Sequence, residues 1–65
     1  MKPEMLAYFR KKRVIEQALL AEKLNVHVIT VSRWERGISE PRASEIAKLC
    51  EVLGVSEAEL LRGRR

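Results

Sequence analysis

The sequence holds one cysteine, one histidine and three aromatic residues in 65 positions. One cysteine excludes an intramolecular disulfide, and one cysteine with one histidine makes no structural zinc site. A chain this short buries only about 60% of its unfolded surface. Without either staple, stability must come from dense helix packing or from a partner, so a homodimer is an early expectation. No apolar run approaches the ~20 residues of a membrane span. The N-terminus lacks the apolar segment of a secretory signal. A soluble, cytoplasmic protein is expected, in line with a lone reduced thiol. Nucleotide loops, metal clusters and nucleophile triads are also missing. Glu40, Glu45, Glu51, Glu57 and Glu59 have no His, Cys or Ser partner at a useful spacing and read as a solvated face. Neither an enzyme nor a metal- or cofactor-binding protein is expected.

What is present is charge, unevenly placed. Residues 1–37 carry eight Lys/Arg against four Glu, and residues 38–61 carry two against five. Three more arginines follow Leu61. A basic front and an acidic back suit a molecule that meets a polyanion on one side.

Apolar spacing predicts helices throughout. Pro3 suits a first turn, and Leu6, Phe9 and Arg13, with Met5, give a helical spacing over Met1 to Arg13. Arg10, Lys11, Lys12 and Arg13 sit where cations suit the helix dipole. Val14-Ile15-Glu16 is a poor turn by composition. Gln17, Leu20, Ala21 and Leu24 then mark one face of a second helix, with Asn25 as its stop.

The stretch Val26 to Gly37 carries a conflict. Its first six residues are β-prone, yet it ends in Arg-Trp-Glu-Arg-Gly, which reads as the end of a helix. As a helix, Val28, Ile29, Ser32, Arg33 and Arg36 share one face, and Thr30, Val31 and Trp34 the other. As a strand the classes mix, and no second strand exists to pair with it. The third helix is therefore placed over Val28 to Arg36, with Trp34 in the core. Ile38 to Pro41 is a loop, since Pro41 forbids a helix through it. Ser44 with Glu45 starts a fourth helix, with Ile46, Leu49, Cys50 and Leu53 inward and Gly54 as cap. Ser56 to Glu59 is a capping box that opens a short fifth helix. Gly63 stops it, and Arg64 and Arg65 form a frayed end.

Helices 17–24 and 28–36 stand three residues apart, the spacing of a helix-turn-helix. Arg10, Gln17 with Leu20-Ala21, Leu24-Asn25-Val26, Val31 to Gly37, Pro41, Leu53 to Ser56 and Leu60-Leu61 together resemble the lambda-repressor-like domains of phage repressors, Cro proteins and XRE-type regulators. The resemblance runs from about Leu6 to Leu61. It implies an all-α fold, a compact five-helix domain with the helix-turn-helix formed by helices 2 and 3. One domain over 1–65 follows, with a core of about 5–61 and a basic tail over 62–65.

The resemblance also implies a function: sequence-specific binding of double-stranded DNA by a small repressor, acting as a homodimer that forms in solution or only on DNA. Helix 3 would lie in the major groove, with Val28, Ile29, Ser32 and Arg33 facing bases. Gln17 would bond a phosphate and brace the groove-facing end of helix 3, and Arg36, Ser39 and Arg42 would meet the DNA backbone. Arg10 and Glu35 would form a structural ion pair. Ile38 and Pro41, with Val55, Ala58 and Leu61, are candidates for a dimer surface. A protein-interaction module on the same fold, such as an antitoxin or a regulator's partner, is one alternative, and a DNA-binding fragment of a longer regulator is the other. The family pattern is broken at Val14, where it has Gly, and at Glu16, where it has Thr or Ser. It is also broken at Asn25, where it has Gly, and at His27, where it has a Ser or Thr cap. His27 is expected to be a weak cap, a partly exposed turn residue.

Overall fold

The computed structural model describes residues 1–63. Within them the chain forms α1 (Pro3–Lys12), α2 (Gln17–Leu24), α3 (Val28–Glu35), α4 (Ala43–Leu53) and α5 (Glu57–Arg62). Arg64 and Arg65, expected as a frayed end, lie outside the described residues. Neighbouring elements pack as α2 on α3 and α4, α1 on α3 and α5, and α4 on α5. The conflicted stretch is thus helical from Val28, as its partition of faces predicts.

The core explains why so short a chain closes. Leu6 and Phe9 of α1 meet Leu20, Ala21 and Leu24 of α2, Val31 and Trp34 of α3, Leu49 and Leu53 of α4, and Leu60 of α5. Six of these side chains are fully buried, and each leucine cut to alanine there costs about 2.7–5 kcal/mol. Trp34 lies in this core, as expected. Three details of the inner faces differ from expectation. On α1 the third inward residue is Arg10, not Arg13, which is exposed. Cys50 is only partly buried against the core rather than enclosed. Pro41 is buried, so it leaves the dimer-surface candidates.

Helix ends follow local chemistry. Gly54 stops α4 in the left-handed conformation, and Asn25 does so for α2 at φ 58°. Ser56 accepts from the Glu59 N–H at 3.1 Å, and Glu59 accepts from the Ser56 N–H at 3.0 Å, the reciprocal capping box read from the sequence. α4 begins earlier than expected. The Glu45 carboxylate reaches back to the Arg42 N–H at 2.7 Å, so Arg42 holds the cap position instead of Ser44. The largest surprise is the α1–α2 joint. Val14-Ile15-Glu16 does turn, and Val14 takes the left-handed conformation at φ 55°. The turn is made by backbone bonds, not by a turn-forming residue.

Candidate nucleic-acid interface

α3 sorts its residues as an eight-residue amphipathic helix should. Val31 and Trp34 point into the core, while Ile29 and Arg33 are exposed and Ser32 is intermediate. Val28 departs from its expected place on the outer face: it is partly buried and packs against the core. The exposed surface of the helix therefore begins at Ile29, which is 48% exposed. The exposed Arg33 side chain makes no hydrogen bond or ion pair among the described residues, so its guanidinium keeps its full fork of donors. Arg36 caps the helix, with its Nε 3.4 Å from the Ser32 carbonyl, and is exposed. Ser39 and Arg42, in and just after the following loop, are exposed as well.

His27 corrects an expectation. Its Nδ1 accepts the Ile29 N–H at 3.1 Å and caps α3. The imidazole does here what Ser or Thr does elsewhere, satisfying one of the orphan donors of the first turn. The sequence signal was present, a side-chain acceptor one residue before the first helical position, but histidine is an uncommon cap.

Behind the exposed face lies a polar knot. The Arg10 side chain, with the residue 8% exposed, forms an ion pair with Glu35 through Nε and Nη2. Its Nη1 donates to the Ile15 carbonyl at 2.7 Å. Gln17 Nε2 donates to Glu35 Oε1 at 2.9 Å. The guanidinium thus joins the end of α1, the α1–α2 joint and the end of α3. Sequence reasoning expected the ion pair but missed two partners. Gln17 was expected to brace the groove-facing end of α3, yet it bonds the opposite end. Val28, the first residue of α3, has no polar group to receive it. Among the described residues no buried side-chain nitrogen or oxygen is left unsatisfied.

Other candidate chemistry is thin. Burial pushes the Cys50 thiol up from its ordinary pKa, and the nearby charges of Glu57 and Glu59 add to this. A thiol held protonated is a poor nucleophile. Among the described residues no three His, Cys, Asp or Glu side chains gather to hold a metal ion. Among them, too, no helix is long and apolar enough to cross a membrane.

Comparison with known proteins places this geometry. A Helix-turn-helix family profile matches residues 6–60. The HTH-type transcriptional regulator DicA of Escherichia coli (strain K12) is 38% identical over 60 residues, covering 92% of this chain and 44% of DicA. Repressor protein C2 of Salmonella phage P22 is 37% identical over 54 residues, covering 83% of this chain and 25% of C2. The chain therefore spans less than half the length of these curated relatives. The crystal structure of the P22 c2 repressor protein in complex with a synthetic operator superposes with a TM-score of 0.91 at 33% identity, covering 98% of this chain and 97% of that one.

Proposed function

The chain belongs to the Helix-turn-helix family, and from that premise we propose that it is a sequence-specific double-stranded DNA-binding transcriptional regulator, a cytoplasmic repressor that does no enzymatic chemistry. The observation that carries the reading is the exposed face of α3. Ile29, Ser32 and Arg33 stand outward on a helix whose other side is locked by Val31 and Trp34. An α-helix of this width enters the major groove. Arg33 reads guanine O6 and N7 with two parallel bonds, worth about 1–3 kcal/mol of discrimination. Ile29, with the edge of Val28, packs on thymine methyl groups, which discriminates less sharply. Ser32 reaches a base or phosphate only on close docking. Arg36, Ser39, Arg42 and Gln17 hold the backbone on either side. Two copies meet a two-fold operator with half-sites about one helical turn apart, and bound protein excludes polymerase or a competitor. Ile38, Ala58 and Leu61 are exposed and remain available for the contact between copies.

Binding to a randomised duplex pool tests this. Arg33→Ala is expected to relax the preference at one position of the site, and an unchanged affinity and preference would remove α3 from the groove. Arg42→Ala is expected to weaken all duplexes alike and flatten the salt dependence by about one. The half-exposed Ile29 also suits an apolar contact with another protein. A stoichiometric co-purifying partner together with no duplex shift at low salt would favour that second reading.

A further inference from the structure

Glu35 belongs to the ion pair with Arg10, which accounts for two of the bonds it accepts but not the third. That third bond comes from Gln17 Nε2, across the helix pair, at 2.9 Å. A carboxylate in an ion pair only accepts hydrogen bonds. Gln17 must therefore present its nitrogen to Glu35, and its carbonyl oxygen is turned away. Amide nitrogen carries two hydrogens in one plane, about 120° apart. One is committed to Glu35, and the other points away from it on a side chain that is partly exposed at the first residue of α2. The backbone before Gln17 is held too, because Arg10 Nη1 binds the Ile15 carbonyl at 2.7 Å. Pairing with Arg10 also neutralises Glu35, so its charge does not oppose an approaching phosphate.

We propose that Glu35 is a positioning residue for DNA binding: it sets the Gln17 amide so that the second Nε2–H is presented to a backbone phosphate before the duplex arrives. This rests on the DNA-binding reading above. A free glutamine side chain must be ordered on binding, whereas this one is ordered beforehand by a bond internal to the fold. The advantage is roughly threefold to tenfold in affinity, the scale of one immobilised flexible side chain. The knot thus serves the fold through Arg10 and the interface through Gln17, with Glu35 common to both.

A double-mutant cycle on duplex binding tests the assignment, using Gln17→Ala, Glu35→Ala and the pair. The duplex is the site selected from the randomised pool, and folded fractions are measured by circular dichroism at the binding temperature. After correction for folding, Glu35→Ala is expected to weaken binding about threefold to tenfold when Gln17 is intact, and not measurably in the Gln17→Ala background. Equal losses in both backgrounds would overturn the positioning role and leave DNA binding standing. No duplex binding by the unaltered protein at low salt would overturn both. Should Glu35→Ala fail to fold, Glu35→Gln retains an oxygen that accepts from Gln17 and is expected to rescue the affinity in a less stable protein. An affinity as low as that of Gln17→Ala would overturn the proposal. Nuclear magnetic resonance of the free protein gives a reading independent of stability. One Gln17 amide proton should be protected, and the other should shift on adding duplex. Two equivalent, rapidly exchanging protons would count against the assignment.

Discussion

The joints after α1 and after α3 have the same backbone and opposite residues. After α1, the Ile15 N–H bonds the Arg10 carbonyl at 3.1 Å and the Val14 N–H bonds the Lys11 carbonyl at 2.9 Å. After α3, the Ile38 N–H bonds the Arg33 carbonyl at 3.0 Å and the Gly37 N–H bonds the Trp34 carbonyl at 3.1 Å. Both are the paired bonds of a Schellman motif, which needs its middle residue left-handed. Gly37 meets that at φ 75° without strain, while Val14, branched at Cβ and 88% exposed, meets it at φ 55°. A valine there is a genuine outlier. It persists because the next residue is fixed from outside. Ile15 packs on the core, and its carbonyl is gripped by Arg10. Among the described residues nothing similar grips Ile38, which is 63% exposed. A strained residue survives only where its surroundings over-determine it. One joint is closed by the residue at its turn, the other by the Arg10 guanidinium gripping the next residue.

Removing that guanidinium is the most severe way to break the comparison. Arg10→Ala strips Glu35 of its charge partner and the Ile15 carbonyl of its donor, with both ionic side chains at or below 10% exposure. Loss of one partner of a buried pair costs about 3–5 kcal/mol. Urea unfolding monitored through Trp34 should show that drop. Val14→Gly should then recover less stability in the Arg10→Ala background than in the original chain, because the strain it relieves is no longer imposed. Equal recovery in both backgrounds would mean that Arg10 does not hold the strained turn.

Smaller effects separate the two joints directly. Gly37→Ala places a Cβ at left-handed φ and 3.2 Å from Pro3 Cγ, with no external grip to compensate. A loss of about 1–2 kcal/mol is expected. Val14→Gly has the opposite sign. It relieves about 1–2 kcal/mol of left-handed strain and returns part of it through the extra freedom of glycine in the unfolded chain, leaving a gain of about 1 kcal/mol. Thermal melts of the two variants should move in opposite directions. A Val14→Gly protein that melts lower than its parent would show that the valine makes contacts worth more than its strain.

The same contrast explains what could be read without coordinates. Helix placement followed from spacing, because Leu20, Ala21 and Leu24, or Leu49 and Leu53, recur where a helix must bury them. Asn25, Gly37 and Gly54 announced their stops through their own conformational freedom. Val14 did not, because its conformation is imposed by Arg10 and Ile15 and leaves no trace in its own side chain. Arg10 itself was legible as half of a pair from the family resemblance, but spacing put Arg13 on the inner face, one turn too late. The Gln17 bond to Glu35 was hidden for a related reason. It joins residues 18 apart on two different helices, and the spacing within either helix says nothing of it. Local preferences were visible, and imposed conformations were not.

The gentlest test keeps the motif and varies only the ease with which its middle residue turns. α2 ends in the same paired bonds: the Val26 N–H reaches the Ala21 carbonyl at 2.9 Å and the Asn25 N–H reaches the Glu22 carbonyl at 3.1 Å. Asn25 sits at φ 58°, ψ 45°, within a few degrees of Val14 in φ. Asparagine tolerates this region, so glycine relieves little strain and adds unfolded-state freedom. Asn25→Gly should therefore change stability by no more than about 0.5 kcal/mol. Val14→Gly and Asn25→Gly then make a matched pair: the same new residue, the same hydrogen bonds, nearly the same φ. Only the strain of the outgoing side chain differs. If the two substitutions shift the melting temperature equally, the difference between the joints does not lie in Val14, and the role given to Arg10 in holding it falls as well.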